Sequence, residues 1–282
     1  MCLLEHLMII PAINFHLLKA CNARCHFCFA TFRDVEGQIS ADDALRLLDA
    51  LRAAGAEKLN FAGGEPTLHR HLGRLVAHAK SVGLVTSVVT NGFRLDPLLD
   101  AHAADLDWVG LSVDSADARV EVALGRGDQD YVRRSLVLAD RCRSLGVRVK
   151  LNTVVTALNC EEDMSAFVRR FQPERWKVFQ VLPIAGQNDG KVEPLLIDAA
   201  AFRAFLERHA PLAAEGLAPI AEANDDMRGS YVMVDPLGRF FGNATGRHIY
   251  SAPILEVGVE AALAQVGVST AKFEARGGRY AW

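Results

Sequence analysis

The sequence predicts an α/β fold, a partial (β/α)6 barrel open on one side. Three observations point to it. From about Ile9 to His209, short apolar runs alternate with helical stretches, as in repeated strand–helix units. One face of several strands is polar, where a filled barrel would carry bulky aliphatics. Length and composition, 282 residues with half of them apolar, suit one large α/β domain or a barrel with an appendage.

The strands are expected at 10–18, Lys58–Ala62, 84–90, 108–114, 147–155 and 176–182. Side chains two apart along a strand share a face. The first strand therefore sets Ile13, Phe15 and Leu17 against Asn14 and His16, and the second sets Leu59 and Phe61 against Lys58 and Asn60. The fourth sets Val109, Leu111 and Val113 against Gly110, Ser112 and Asp114. The fifth sets Val149, Leu151 and Thr153 against Arg148, Lys150 and Asn152, and the sixth offers Arg175, Lys177 and Phe179 opposite Trp176, Val178 and Gln180. Helices cover the outside of a parallel sheet, so the apolar faces go to them and the polar faces line an internal cavity. The helices should begin near Ser40, His69, Asp96, Asp128, Glu161 and Asp198; Ser40 followed by Asp43 resembles a capping box.

Beyond about Pro211 the alternation stops. Residues 231–235 and 239–243, around Pro236-Leu237-Gly238, read as a hairpin, followed by a short helix at 255–266 and an Arg/Gly-rich end. The expected organisation is a barrel over residues 1–210 and a C-terminal extension over 211–282 that covers the active site as a lid.

The formal net charge of −3 argues against general nucleic-acid binding. Residues 1–10 are too short to span a membrane, are interrupted by Glu5 and His6, and lack a signal-peptide pattern. They should lead into the first strand. The sequence is that of a soluble cytoplasmic protein with no membrane association, and it carries no mark of oligomeric state. Of six cysteines, Cys2, Cys142 and Cys160 are scattered and read as reduced thiols rather than a disulfide framework.

The other three carry chemistry. Cys21, Cys25 and Cys28 form C-x3-C-x2-C, with Phe27 before the last. Three thiolates on one loop can hold three irons of a [4Fe–4S] cube, leaving the fourth open to chelate the amino and carboxylate groups of S-adenosylmethionine. A zinc site or three unrelated thiols are the competing readings, but zinc favours four ligands in paired units and no partner pair exists. Gly63-Gly64-Glu65-Pro66 directly follows the second strand, where glycine lets backbone approach a ligand closely. Asn91, before Gly92, and Ser112 suit ribose and carboxylate contacts of the same cofactor. Arg126, between Gly125 and Gly127, suits either a phosphate fork or an exposed turn. Burying Lys58, Lys150 and Lys177 without partners would cost several kcal/mol each. Converging cations make sense around an anion, with a triphosphate the obvious candidate.

The cysteine loop and the Gly-Gly-Glu-Pro element together resemble the radical S-adenosylmethionine superfamily. The run Arg175-Trp176-Lys177-Val178-Phe179-Gln180, with Ser230-Tyr231, Ile254-Leu255-Glu256-Val257-Gly258-Val259 and Arg276-Gly277-Gly278-Arg279-Tyr280, is similar to the viperin family in its microbial branch. That resemblance, running from about Ile13 to Trp282, implies a radical enzyme that converts a ribonucleoside triphosphate to its 3′-deoxy-3′,4′-didehydro form. A 5′-deoxyadenosyl radical takes the C4′ hydrogen and the 3′-hydroxyl leaves as water. An external donor supplies electrons, and the product terminates viral RNA chains. It implies cluster ligation by Cys21, Cys25 and Cys28 and cofactor contacts from Phe27, Gly63, Gly64, Glu65, Asn91 and Ser112. Lys58, Arg126, Lys150 and Lys177 would hold phosphates, Asn14 and Asn152 would position sugar or base, and Tyr231 would close over the nucleotide. This chain departs from the family pattern at Ala62, in place of a serine, and at Ala30, in place of a histidine in vertebrate members. It also lacks the vertebrate N-terminal amphipathic helix, so membrane attachment does not carry over, and its tail ends early. A peptide- or tRNA-modifying radical enzyme and a non-catalytic iron–sulfur scaffold are the alternatives. The first predicts a cleft for a macromolecule; the second leaves the cationic face unexplained.

Overall fold

The computed structural model describes residues 11–282. Cys2 and the expected lead-in to the first strand lie outside these residues. The six strands are present as β1 (Ala12–His16), β2 (Lys58–Ala62), β3 (Val85–Thr90), β4 (Trp108–Ser112), β5 (Arg148–Val155) and β6 (Arg175–Gln180). They pair in chain order, all parallel. Between them lie α1 (Ala41–Ala53), α2 (Leu72–Ser81), α3 (Asp96–His102), a short α4 (Ala118–Ala123), α5 (Tyr131–Ser144) and α6 (Ser165–Phe171), with α7 (Ala199–His209) after β6. The helix starts obey local chemistry. The Ser40 hydroxyl accepts from the Asp43 amide at 3.0 Å, and Asp198 accepts from the Ala201 amide at 2.8 Å, satisfying amides left over at a helix N-terminus.

The alternation does not stop at Pro211. A seventh strand, β7 (Pro219–Glu222), pairs parallel with β6. Its signal is weak in sequence because it has four residues and opens on proline. The α8 turn (Asn224–Met227) leads to the hairpin of β8 (Val232–Val234) and β9 (Arg239–Gly242), with β10 (Ile249–Pro253) beyond. The hairpin is antiparallel as expected, but β8 also pairs parallel with β1, so one ten-stranded sheet runs β10-β9-β8-β1-β2-β3-β4-β5-β6-β7. The expected helix at 255–266 is two short ones, α9 (Ile254–Val257) and α10 (Val259–Leu263), parted at Gly258 with φ +86°; α11 (Thr270–Ala275) precedes the tail.

The apolar strand faces look outward to the helices. Ile13, Phe15, Leu59, Phe61, Val149, Leu151 and Trp176 join Leu47, Leu48 and Leu75 in one buried core. Each fully buried aliphatic contributes roughly 1.5–3 kcal/mol. Phe240, Ile254 and Phe273 of the C-terminal stretch enter the same core. The opposite faces line a cavity of about 340 Å³.

Candidate active site

Parallel register decides which polar side chains meet inside. Asn14 pairs with Asn60 across β1 and β2, and the Asn60 amide donates to Asn14 Oδ1 at 2.8 Å. Lys150 stands beside Arg175, and Asn152 beside Lys177. Asn14, Lys58, Asn60, Ser112, Lys150, Asn152, Arg175 and Lys177 all line the cavity.

The three cysteines line the same cavity, each partly buried. Three hydrogen bonds pin their loop. The Arg24 and His26 amides donate to the carbonyls of Gly125 (2.8 Å) and Leu124 (3.0 Å), and Asn188 Nδ2 donates to the Phe27 carbonyl at 3.0 Å. Burial raises the Cys21 and Cys28 thiols above their ordinary range and pushes Cys25 up to about 12. Thiols in such surroundings keep their protons until a metal replaces them. Among the described residues no three His, Cys, Asp or Glu side chains gather closely enough for a single ion. Cys142 is buried in the core and Cys160 lies elsewhere, half-buried.

The glycines have a reason other than the expected approach to a ligand. A Cβ on Gly64 would lie 2.3 Å from the Ala20 carbonyl oxygen and 2.5 Å from that of Lys19, and one on Gly63 would lie 2.8 Å from the Leu18 oxygen. The Gly64 and Glu65 amides donate to Leu18 and Ala20 at 2.7 and 2.9 Å. Gly63 and Gly64 therefore dock this element on the backbone leading into the cysteine loop. Buried Glu65 accepts from Thr67, from the Thr90 hydroxyl at 2.6 Å and from the Asn91 amide at 2.8 Å. Asn91 Nδ2 in turn donates to Asn22 at 2.8 Å. Glu65 and Asn91 thus brace the loop while bordering the cavity.

Arg126 keeps different company from the lysines. Its Nε donates to buried Asp114 at 2.5 Å, and its guanidinium lies 5.2 Å from the Phe27 ring centroid, at the cysteine-loop end. Asp114 holds it there, and the neighbouring Glu121 accepts from the Asp114 and Ser115 amides. Burial, with Asp114 adding, pushes the Glu121 carboxyl up to about 8.

The cations gather elsewhere in the cavity. Lys58 and Lys150 are buried, and Lys58 donates to the Tyr280 hydroxyl at 2.5 Å. Both ammonium groups face the rings of Trp108 and Tyr280, 4.5–5.2 Å from the centroids. Lys177 pairs with Glu222 and donates to the Tyr231 hydroxyl at 2.8 Å. The Tyr231 hydroxyl donates to Glu222, and Arg276 reaches the same carboxylate at 3.3 Å. Burial opposes ionisation of Glu222, yet Lys177 and Arg276 hold it below the ordinary carboxylate range.

Four members of this cluster escaped the sequence-based site. Arg175 was legible as inward-facing. Arg276 and Tyr280 belong to a C-terminal run that resembles the family and was expected to cover the cavity, not to pair with its cations. Glu222 lies on the unrecognised strand β7 and left no signal.

A barrel with a three-cysteine loop at one end of its cavity is the architecture of radical S-adenosylmethionine enzymes. The family model described as Radical SAM superfamily matches residues 16–170. Over 97% of its length the chain is 42% identical to an S-adenosylmethionine-dependent nucleotide dehydratase from Flammeovirga pacifica, covering 97% of that protein. It is 44% identical to one from Lacinutrix mariniflava, spanning 59% of that protein, and 36% identical to S-adenosylmethionine-dependent nucleotide dehydratase RSAD2 of Oncorhynchus mykiss, spanning 80%. The chain belongs to the Radical SAM superfamily and, within it, to the family of S-adenosylmethionine-dependent nucleotide dehydratases. Among solved structures, Streptococcus suis SuiB bound to S-adenosylmethionine superposes with a TM-score of 0.69 at 18% identity, over 83% of this chain and 60% of that one; the likeness is one of fold. The cofactors of the superfamily are a [4Fe–4S] cluster and S-adenosylmethionine, and the thiol loop fits the first. No helix among the described residues is long and apolar enough to cross a membrane.

Proposed function

We propose that the protein converts a ribonucleoside triphosphate to its 3′-deoxy-3′,4′-didehydro analogue with loss of water. When bound, the cluster and S-adenosylmethionine supply the 5′-deoxyadenosyl radical that removes the C4′ hydrogen. The observation that carries this reading is the placement of cysteine loop and cation cluster in one cavity.

Cys21, Cys25 and Cys28 hold the cluster. Backbone at Gly63 and Gly64, with Ser112 and Asn91, borders the cofactor, and Phe27 and Arg126 flank it. Because Arg126 sits at the cysteine end, its role here is to face the cofactor's carboxylate rather than a phosphate. Lys58, Lys150, Arg175, Lys177 and Arg276 bind the triphosphate through charge-assisted hydrogen bonds, each contributing on the order of 1.5–3 kcal/mol. Asn14, Asn60 and Asn152, between the two ends, orient the ribose and base. Tyr231 and the 276–280 segment close the cavity as part of the C-terminal extension, 211–282, excluding water from radical intermediates. Lysines and arginines converging on one cavity favour this reading over a macromolecular substrate.

The product, lacking a 3′-hydroxyl, would terminate RNA chains, an antiviral role suited to a cytoplasmic enzyme fed by an external electron donor. The test is anaerobic incubation of reconstituted protein with the four ribonucleoside triphosphates, S-adenosylmethionine and a reductant. Mass spectrometry should find one triphosphate lighter by one water, formed together with 5′-deoxyadenosine. Cofactor cleavage with every triphosphate intact would refute the reading.

A further inference from the structure

Lys58 and Lys150 are the only lysines buried outright among the described residues, at 3% and 7% exposure, and they share one aromatic cage. Trp108 and Tyr280 face both ammonium groups, and Trp282 adds a third ring to Lys58 at 5.2 Å. Neither lysine makes an ion pair with a carboxylate among the described residues. The charged groups around them are mostly of their own sign. β5 brings Arg148 towards Lys58, and β6 brings Arg175 towards both lysines and Lys177 towards Lys150. The loop before β4 carries Asp107, which is held by Lys80 at 2.7 Å, and Glu57 is turned to Arg279. Lys177 differs, because Glu222 compensates it.

Two neighbouring buried ammonium groups in an aromatic cage with no counter-ion are costly, and a lysine can lower that cost by giving up its proton. We propose that the Lys58–Lys150 pair is short of protons in the free protein and draws them from solution when a triphosphate binds. This rests on the reading of the cation cluster as a triphosphate site. Burial, partly offset by the contact with Lys150 and reinforced by Arg148 and Arg175, brings Lys58 down to about 7, and burial with the nearby Lys58 takes Lys150 well below its ordinary range. A polyanion supplies the missing counter-charge and restores the ordinary lysine range. Binding and protonation are then linked. Above neutrality the affinity falls about tenfold per pH unit for each proton taken up. The empty cage carries less positive charge than its two lysines would suggest and regains it around a ligand of high negative charge, which disfavours nucleosides and monophosphates.

The experiment is titration calorimetry on anaerobically reconstituted protein without reductant, so that nothing turns over. CTP, UTP and GTP are each titrated at pH 8 in HEPES and in Tris, buffers of different ionisation enthalpy, and again at pH 9. The expected result is a heat that differs between buffers by the equivalent of about one proton taken up, or more, with a Kd weakening at least about tenfold from pH 8 to 9. Lys58→Arg, whose charge cannot be titrated away, should lose about one proton of uptake and flatten the pH dependence. Lys150→Arg is the second variant should the first fail to fold. Triphosphate binding with the same heat in both buffers would overturn the proposal alone. Absence of triphosphate binding in wild-type protein would overturn the triphosphate site and this proposal with it.

Discussion

The guanidinium carbon of Arg276 lies over the ring of Tyr231, 3.6 Å from its centroid, and both side chains end on Glu222. Through this contact the C-terminal tail is joined to strands β6, β7 and β8 at one buried carboxylate. Removing Glu222 leaves Lys177 and Arg276 buried without compensation. Glu222→Ala should therefore destabilise the free protein by about 3–5 kcal/mol. Saturating triphosphate should restore part of the loss, because phosphates replace the missing charge. Thermal unfolding with and without nucleotide measures both; equal losses in the two conditions would separate Glu222 from the anion site.

Cys25→Ala should abolish the iron–sulfur absorbance and reductive formation of 5′-deoxyadenosine. Cys160→Ser, on a thiol remote from the loop, should leave both. Iron content and absorbance after anaerobic reconstitution are the readouts. A cluster retained without Cys25 would break the ligand assignment.

Gly64→Ala places a methyl group 2.3 Å from the Ala20 carbonyl oxygen. The backbone there cannot yield as a side-chain tip could, so the cysteine loop must shift. Overpacking of this kind costs about 1–3 kcal/mol. The expected signature is a protein that stays folded by circular dichroism but retains markedly less iron. Undiminished iron would show that the glycine is not what seats the loop.

Lys58→Met should make the free protein more stable and the nucleotide site weaker. The folded chain holds this lysine's proton less firmly than the unfolded chain, about 7 against the ordinary 10.5. The cost to the folded state grows as pH drops from about 10.5 towards 7 and is constant below. The gain from Lys58→Met should accordingly be largest at and below neutrality, about 1–2 kcal/mol after screening, and fade by pH 10. The stabilisation that triphosphate confers on wild type, about 2.7 kcal/mol at a hundredfold excess over Kd, should shrink sharply. Denaturant melts across that pH range would check the sign.

Much of this was legible because strand period and burial act together. Once Leu59 and Phe61 are assigned to the helices, Lys58 and Asn60 must point inward, and the same parity places Lys150, Asn152 and Lys177. The cysteine spacing needed no tertiary information. What could not be read depends on contacts distant in sequence. Strand β7 has too few residues for a periodic signal, so Glu222 went unseen. The company of Arg126 is set by the carboxylate of Asp114, which no local pattern pairs with it. Gly63 and Gly64 announce close approach, but only the structure shows that backbone at 18–20 is what approaches.

In the proposed reaction one cavity brings the radical source to C4′ of a triphosphate held by the lysine cluster. Single-turnover reaction with a nucleoside triphosphate deuterated at C4′ tests it most directly. The account predicts one deuterium in the 5′-deoxyadenosine and a dehydrated triphosphate in equal amount, both lost on Lys177→Ala while unlabelled, uncoupled cofactor cleavage persists. 5′-Deoxyadenosine free of deuterium, formed at the same rate with and without the nucleotide, would contradict it.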